Sequence, residues 1–344
     1  MSFQKFIIRS LMKLPESLLL RMAGGKPLAI DGRVMDPRVQ LLAVQGAKAP
    51  SITTLDPVAA RAATSEGLAL LDDAPRASVA ISDMTVPGPE SDLPARLYRP
   101  KAAAGSLPGL VYFHMGGCVI GDLDTCNTFC SILADLANCA VLSVEYRLAP
   151  EHKFPAAVDD ALAAYKWAQE NAGSLGMEAG RIGVGGDSAG GYLSAVVAQQ
   201  MKETGGPAPS VQLLIYPVTD MEAEGGSMQS CGDVYPLTAE IMQWFIDRYI
   251  DKAEDKKDLR ASPMKAQDLS GLPPAIVITA GFDPLRDQGT EYADRLKAAG
   301  VAVTYRCYDR LAHAFTAMSG TVPAAKQACE EIAADLRKAL SASA

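Results

Sequence analysis

The chain has 344 residues, 49% of them hydrophobic, which is enough apolar material for one large α/β domain with a smaller appendage. Its formal net charge of −8 offers no basic face and argues against a nucleic-acid-binding function. The 7 cysteines are odd in number and unclustered, with no Cys-x-x-Cys pair and no histidine at zinc-finger spacing. They read as reduced thiols of a cytoplasmic protein, not as a disulfide framework or a metal site.

Residues 1–20 carry Lys5, Arg9 and Lys13 and no acid before Glu16. Arg9, Lys13 and Pro15 break the apolar runs and no A-x-A-like site follows, so a secretory leader is not expected. No run approaches the ~18 apolar residues of a membrane span, so stable membrane insertion is not expected either. Phe3, Phe6, Ile7, Leu11 and Leu14 share one helical face, suited to packing on a core or to touching a membrane surface, and packing is the simpler expectation. Up to about residue 75 the chain reads as helices and loops punctuated by prolines, with no strong strand.

From Ser78 the pattern changes. Val79 to Val86 and Ala95 to Tyr98 read as two strands, with Pro87-Gly88-Pro89 as the turn of a hairpin. Leu110 to Phe113, Ala140 to Val144, Ile182 to Val184, Val211 to Ile215 and Ala275 to Thr279 are short buried runs, and Val301 to Cys307 reads as the last strand. Helices are expected around Phe129 to Leu136, Ala156 to Gln169 (opening on Pro155), Tyr192 to Met201, Thr290 to Ala298 and Ala324 to Leu340. Strands alternating with helices after an antiparallel start predict an α/β fold with a mostly parallel sheet. Some sixty residues separate the strand at 211–215 from the strand at 275–279, more than a crossover helix needs. This insertion is expected to meet the N-terminal helices as a lid.

The candidate chemistry starts at Gly186-Asp187-Ser188-Ala189-Gly190, where a short strand runs into glycines and then a helix. That is the layout of a nucleophile elbow, with glycines where strand and helix pass closely and Ser188 at the turn. A bare G-x-S-x-G arises readily by chance in a Gly-rich chain, so the rest of the triad has to carry the weight. Only three histidines exist, His114, His152 and His313, and only His313 follows Ser188, as the order Ser, acid, His demands. Asp283, just past the strand at 275–279, is the expected acid, with Asp287 as runner-up. The oxyanion site is expected from the loop His114-Met115-Gly116-Gly117-Cys118 together with the Ala189 N–H. His114 is expected to brace that loop by hydrogen bonding.

With these motifs the chain resembles the hormone-sensitive-lipase-like (bacterial family IV) carboxylesterases with a Gly-Asp-Ser-Ala-Gly elbow. The matches are His114-x-Gly116-Gly117, Glu145-Tyr146-Arg147-Leu148-Ala149-Pro150-Glu151-His152, the elbow through Gly191, Asp283-Pro284-Leu285-Arg286-Asp287 and His313-x-Phe315. The resemblance implies an α/β-hydrolase fold, an eight-stranded sheet flanked by helices, over residues 76–344, with a helical cap from residues 1–75 and an insertion at about 217–260. It implies Ser188 as nucleophile, Asp283 as acid, His313 as base, and Gly116, Gly117 and Ala189 as oxyanion donors. It further implies hydrolysis of short-chain acyl esters through an acyl-enzyme, a small-molecule substrate, no cofactor or metal, and homodimers paired through the last strand. An amidase or lactone hydrolase would use the same parts, and a non-catalytic small-molecule receptor can share the fold. The chain departs from the family at Met115, at Cys118, at Glu145 and in His313-Ala314-Phe315. Met115, Cys118, Asp187 and Tyr192 are the candidates for shaping the pocket, with Met115 expected either to need no positive φ or to be strained.

Overall fold

The computed structural model describes residues 3–342. The N-terminal part consists of α1 (Phe3–Leu11), α2 (Glu16–Met22), the two-residue strands β1 (Ala29–Ile30) and β2 (Arg33–Val34), α3 (Pro37–Gly46) and α4 (Pro57–Leu71). Asp36 and Asp56 cap α3 and α4 by accepting hydrogen bonds from Arg38 N and Ala59 N, and the prolines that follow sit where a helix has no use for an N–H. The small hairpin departs from the expectation of no strand here. It is too short to show periodicity, and its only mark is Asp31-Gly32, which takes φ of 51° and 75° as a tight hairpin turn requires.

The sheet is built from β3 (Val79–Val86), β4 (Leu93–Pro100), β5 (Leu107–Phe113), β6 (Ala140–Val144), β7 (Met177–Asp187), β8 (Gln212–Ile215), β9 (Ala275–Phe282) and β10 (Val303–Ala312). Its eight strands lie in the order β10-β9-β8-β7-β5-β6-β4-β3. β4 runs antiparallel to both neighbours and every other pairing is parallel. The remaining helices are α5 (Asn127–Ala137), α6 (Ala156–Glu170), α7 (Ala189–Thr204), α8 (Gly226–Ser230), α9 (Ala239–Tyr249), α10 (Arg286–Ala298) and α11 (Pro323–Ala342). Pro155 precedes α6 instead of opening it.

Alternation along β5 shows why the apolar run is continuous. Val111 and Phe113 join the core beneath α6 and α7, whereas Leu110 and Tyr112 join the core beneath α5 and α11. Both faces are covered, so the strand is apolar but for the Tyr112 hydroxyl. β7 begins five residues before its apolar run, because Glu178 to Arg181 pair irregularly at the sheet's edge of order and stay partly exposed. β10 extends to Ala312, which delivers residue 313 to the same end of the sheet as the ends of β5, β7 and β9.

Candidate active site

β7 ends at Asp187 and α7 begins at Ala189, so the whole turn is Ser188. Its φ of 55° and ψ of −115° lie where L residues rarely go, a strain the surroundings must hold. Ser188 N–H donates to Ile215 O (2.8 Å) and Ser188 O accepts from Tyr192 N (3.0 Å). The glycines meet the expected need for close approach: a Cβ on Gly190 would lie 1.8 Å from Phe113 O, and one on Gly186 would lie 2.4 Å from Gly190 C.

His313 directly follows β10, and Ala314 (φ 60°) turns the chain away behind it. His313 Nε2 lies 2.9 Å from Ser188 Oγ and Nδ1 lies 2.7 Å from Asp283 Oδ2. Asp283 follows β9, is wholly buried, and its second oxygen accepts from Leu285 N (2.8 Å). With Nδ1–H donated to the carboxylate, Nε2 presents its lone pair to the Ser188 hydroxyl. Asp287, the alternative acid, is instead an exposed first-turn carboxylate of α10, engaged by Arg286 and by Ser227 N.

Asp187 corrects one expectation. It is buried and lines neither cavity at Ser188; Tyr216 Oη (3.1 Å) and Thr316 Oγ1 (3.0 Å) converge on its Oδ2. Those two hydroxyls also lie 2.6 Å apart, so two protons serve three oxygens. Burial pushes the Asp187 carboxyl above its ordinary range, while the hydroxyls of Tyr112, Thr316 and Tyr216 pull it back. Tyr216 has φ 35° and its ring centroid lies 4.6 Å from that of His313, so this group backs the imidazole. Tyr216 and Thr316 were not foreseen. The available signal was position alone: one residue past β8, and three past His313.

The loop after β5 carries Gly116 (φ 128°), Gly117 (φ 61°) and then Cys118 (φ 58°). Met115 takes no positive φ, so it needs no glycine, and the strained non-glycine position is Cys118. His114 braces the loop as expected. Its Nδ1–H donates to Met115 O (2.7 Å), its ring stacks on Tyr146 with centroids 4.4 Å apart, and Tyr146 Oη donates to His114 O (2.7 Å). Full burial holds the His114 imidazole below its ordinary range and therefore neutral. Burial pushes the Cys118 thiol up to about 12, which removes it as a rival nucleophile.

Ser188 opens on two unequal spaces. One is a cavity of about 550 Å³, walled by Met115, Gly116, Gly117 and His313 on the sheet side and by residues such as Leu68 and Ile241 on the helical side. The other has about 20 Å³ of free space among Cys118, Ala189, Tyr192, Met242, Phe245 and Tyr249. Met115, Cys118 and Tyr192 thus do line the site. A Cβ on Gly117 would lie 2.3 Å from the Phe245 ring, so α9 rests on the backbone of the loop after β5. The N-terminal part meets the insertion at Thr53, whose hydroxyl donates to Glu240 (2.7 Å), and meets the sheet domain at Arg61, which donates to Val119 O, Ala149 O and the Glu151 carboxylate.

The serine–histidine–aspartate geometry lies within a stretch of the chain that resembles known proteins. The Abhydrolase_3 family model, of the alpha/beta hydrolase fold, matches residues 110–317. The chain belongs to that family. Carboxylic ester hydrolase LipN of Mycobacterium tuberculosis is 43% identical over 302 residues, covering 86% of this chain and 80% of the relative. Ethyl acetate hydrolase of Pseudomonas putida is 42% identical over 238 residues, covering 68% and 75%. Among solved structures, the ester-hydrolase EH1AB1 from the metagenome of Lake Arreo, in complex with a derivative of bipyridine phosphonate, superposes with a TM-score of 0.84 at 39% identity, over 94% of this chain and 98% of that one. The resemblance to hormone-sensitive-lipase-like esterases read from the motifs holds.

Proposed function

We propose that this carboxylic ester hydrolase cleaves short-chain acyl esters by a Ser188–His313–Asp283 triad. The observation that carries the assignment is the unbroken relay from Ser188 Oγ through His313 to Asp283, at 2.9 and 2.7 Å. Ser188 attacks the ester carbonyl and passes its proton to His313 Nε2, while Asp283 holds the tautomer and stabilises the imidazolium. The N–H groups of Gly116, Gly117 and Ala189 receive the oxyanion, each contributing about 3 kcal/mol at the transition state. His313 then protonates the leaving alcohol, and water releases the acyl group by the reverse route.

The short-chain preference rests on the smaller space beside Ser188. At about 20 Å³ it accepts a methyl-sized group, whereas the 550 Å³ cavity matches a whole small-molecule site. Residues 1–75 and about 217–260 serve as the cap that bounds both. The seven cysteines are all free and support a reducing, cytoplasmic setting. β10, one of the two outer strands of the sheet, is the proposed pairing surface of a homodimer.

A p-nitrophenyl ester series from acetate to dodecanoate tests the reading, with Ser188→Ala as the blank. The native chain should favour the shortest acyl groups, and the variant should lose on the order of 10⁴- to 10⁶-fold in kcat. Turnover retained by Ser188→Ala would sink the triad, and a preference for the longest chains would sink the small acyl pocket.

A further inference from the structure

α1 divides its apolar residues: Ile8 and Leu11 pack toward Met12, Leu19 and Leu41, whereas the other three face outward. Phe3, Phe6 and Ile7 are 77%, 55% and 46% exposed, and no residue of the helix is buried. Its orientation is held from the other side: Lys5 Nζ donates to Ala69 O (2.8 Å), and Arg9 donates to Asp72 O (3.0 Å) and Asp73 Oδ1 (2.9 Å), all at the end of α4. Leu18 and Met22 of α2 add two more exposed apolar side chains, at 41% and 42%. Ile8, next to the outward face, lies in the wall of the cavity that reaches Ser188.

The charge around this face singles out its partner. Lys5 and Arg9 are engaged with the end of α4, which leaves Lys13, Arg21 and Lys26 as the further cations of residues 1–26, against one acid, Glu16, itself paired with Arg38, in a chain whose net charge is −8. A second copy of the chain docking isologously would set this cationic patch against itself. A layer of anionic headgroups over acyl chains complements both the charge and the apolar side chains. Among the described residues no helix is long and apolar enough to cross a membrane, so α1 would lie on the surface and not span it. We infer that the α1–α2 face docks reversibly on an anionic lipid surface and sets the wall of the active-site cavity against it.

The test is co-sedimentation of the full chain with vesicles of phosphatidylglycerol and phosphatidylcholine, against vesicles of phosphatidylcholine alone, at low and high salt. The native chain should pellet with the anionic vesicles at low salt, release at high salt, and stay in solution with the neutral ones. The triple variant Phe3→Ser, Phe6→Ser, Ile7→Ser should partition on the order of tenfold less, and Lys13→Gln with Arg21→Gln and Lys26→Gln should show a similar loss. Turnover of soluble p-nitrophenyl butyrate should not change in either variant. Failure of the native chain to pellet, or pelleting indifferent to both sets of substitutions, overturns the inference. So does gel filtration showing a dimer that the apolar triple dissolves without any vesicle binding, since the face would then belong to a second copy.

Discussion

The two walls that meet at Ser188 are made differently. On the sheet side, the loops after β5, β7, β8, β9 and β10 are fixed by hydrogen bonds and by backbone angles that tolerate little change: Ser188, Tyr216 and Cys118 all sit at positive φ, and Asp283, His114 and Asp187 are buried with specified partners. On the helical side, Leu68, Ile241, Met242 and Phe245 meet the site through apolar surface, and the polar ties to the rest of the chain are made by other residues, such as Thr53, Arg61, Ser65 and Tyr249. Attack, proton transfer and oxyanion capture tolerate errors well below an ångström, which directional bonds can enforce. Pocket size tolerates repacking, which apolar contacts allow. The sheet side should therefore govern rate, and the helical side should govern which ester is accepted.

The largest effect that can break this division is at the acid. Asp283→Asn keeps the shape of the buried site and replaces one acceptor oxygen facing His313 Nδ1 by a donor, which favours the wrong imidazole tautomer. kcat for p-nitrophenyl acetate should fall on the order of 10⁴-fold with KM little changed. A loss under tenfold in a steady-state assay would mean that the strand-end geometry is not where the rate is set.

A smaller effect of a different kind is expected across the pocket. Phe245 lies on Gly117 and helps close the 20 Å³ space. Phe245→Ala should enlarge that space, and the ratio of kcat/KM for hexanoate over acetate should rise on the order of tenfold, the scale of one or two methylenes in an apolar pocket. kcat for acetate should stay within severalfold. If kcat for acetate collapses while the ratio holds, the helical wall belongs to the chemistry and the two sides are not separable.

The same division explains what could be read from residues alone. Ser188, Asp283 and His313 were legible because each follows an apolar strand and because only one histidine lies downstream of the elbow. The sheet was legible for the same reason, since strands covered on both faces are mostly apolar, with single polar residues such as Ser143, Gln212 and Thr279. The contact of Phe245 with Gly117 was not, because it joins segments more than a hundred residues apart and leaves no periodic trace. Asp187 is a pocket candidate by its motif, but it is the last residue of β7 and its side chain is buried. Its carboxylate is turned toward Tyr216 and Thr316 and not toward the cavity.

The smallest expected effect tests that reassignment. Burial raises the Asp187 carboxyl above its ordinary value of 3.8, so the folded chain holds this proton more tightly than the unfolded chain does. The stabilisation from that proton is complete below the unfolded value and is lost as pH rises through the higher folded one. Asp187→Asn removes the titration while keeping an oxygen to accept from Tyr216 and Thr316. Urea midpoints measured for both proteins across this range give the variant-minus-native difference, in which the other buried carboxyl raised by burial, Asp72, is common to both chains. That difference should become more favourable to the variant as pH rises from 3.8 toward neutral, and then level off. A difference that does not vary with pH would mean that Asp187 reaches water in the folded state, and a carboxylate that reaches water beside Ser188 would belong to the pocket after all.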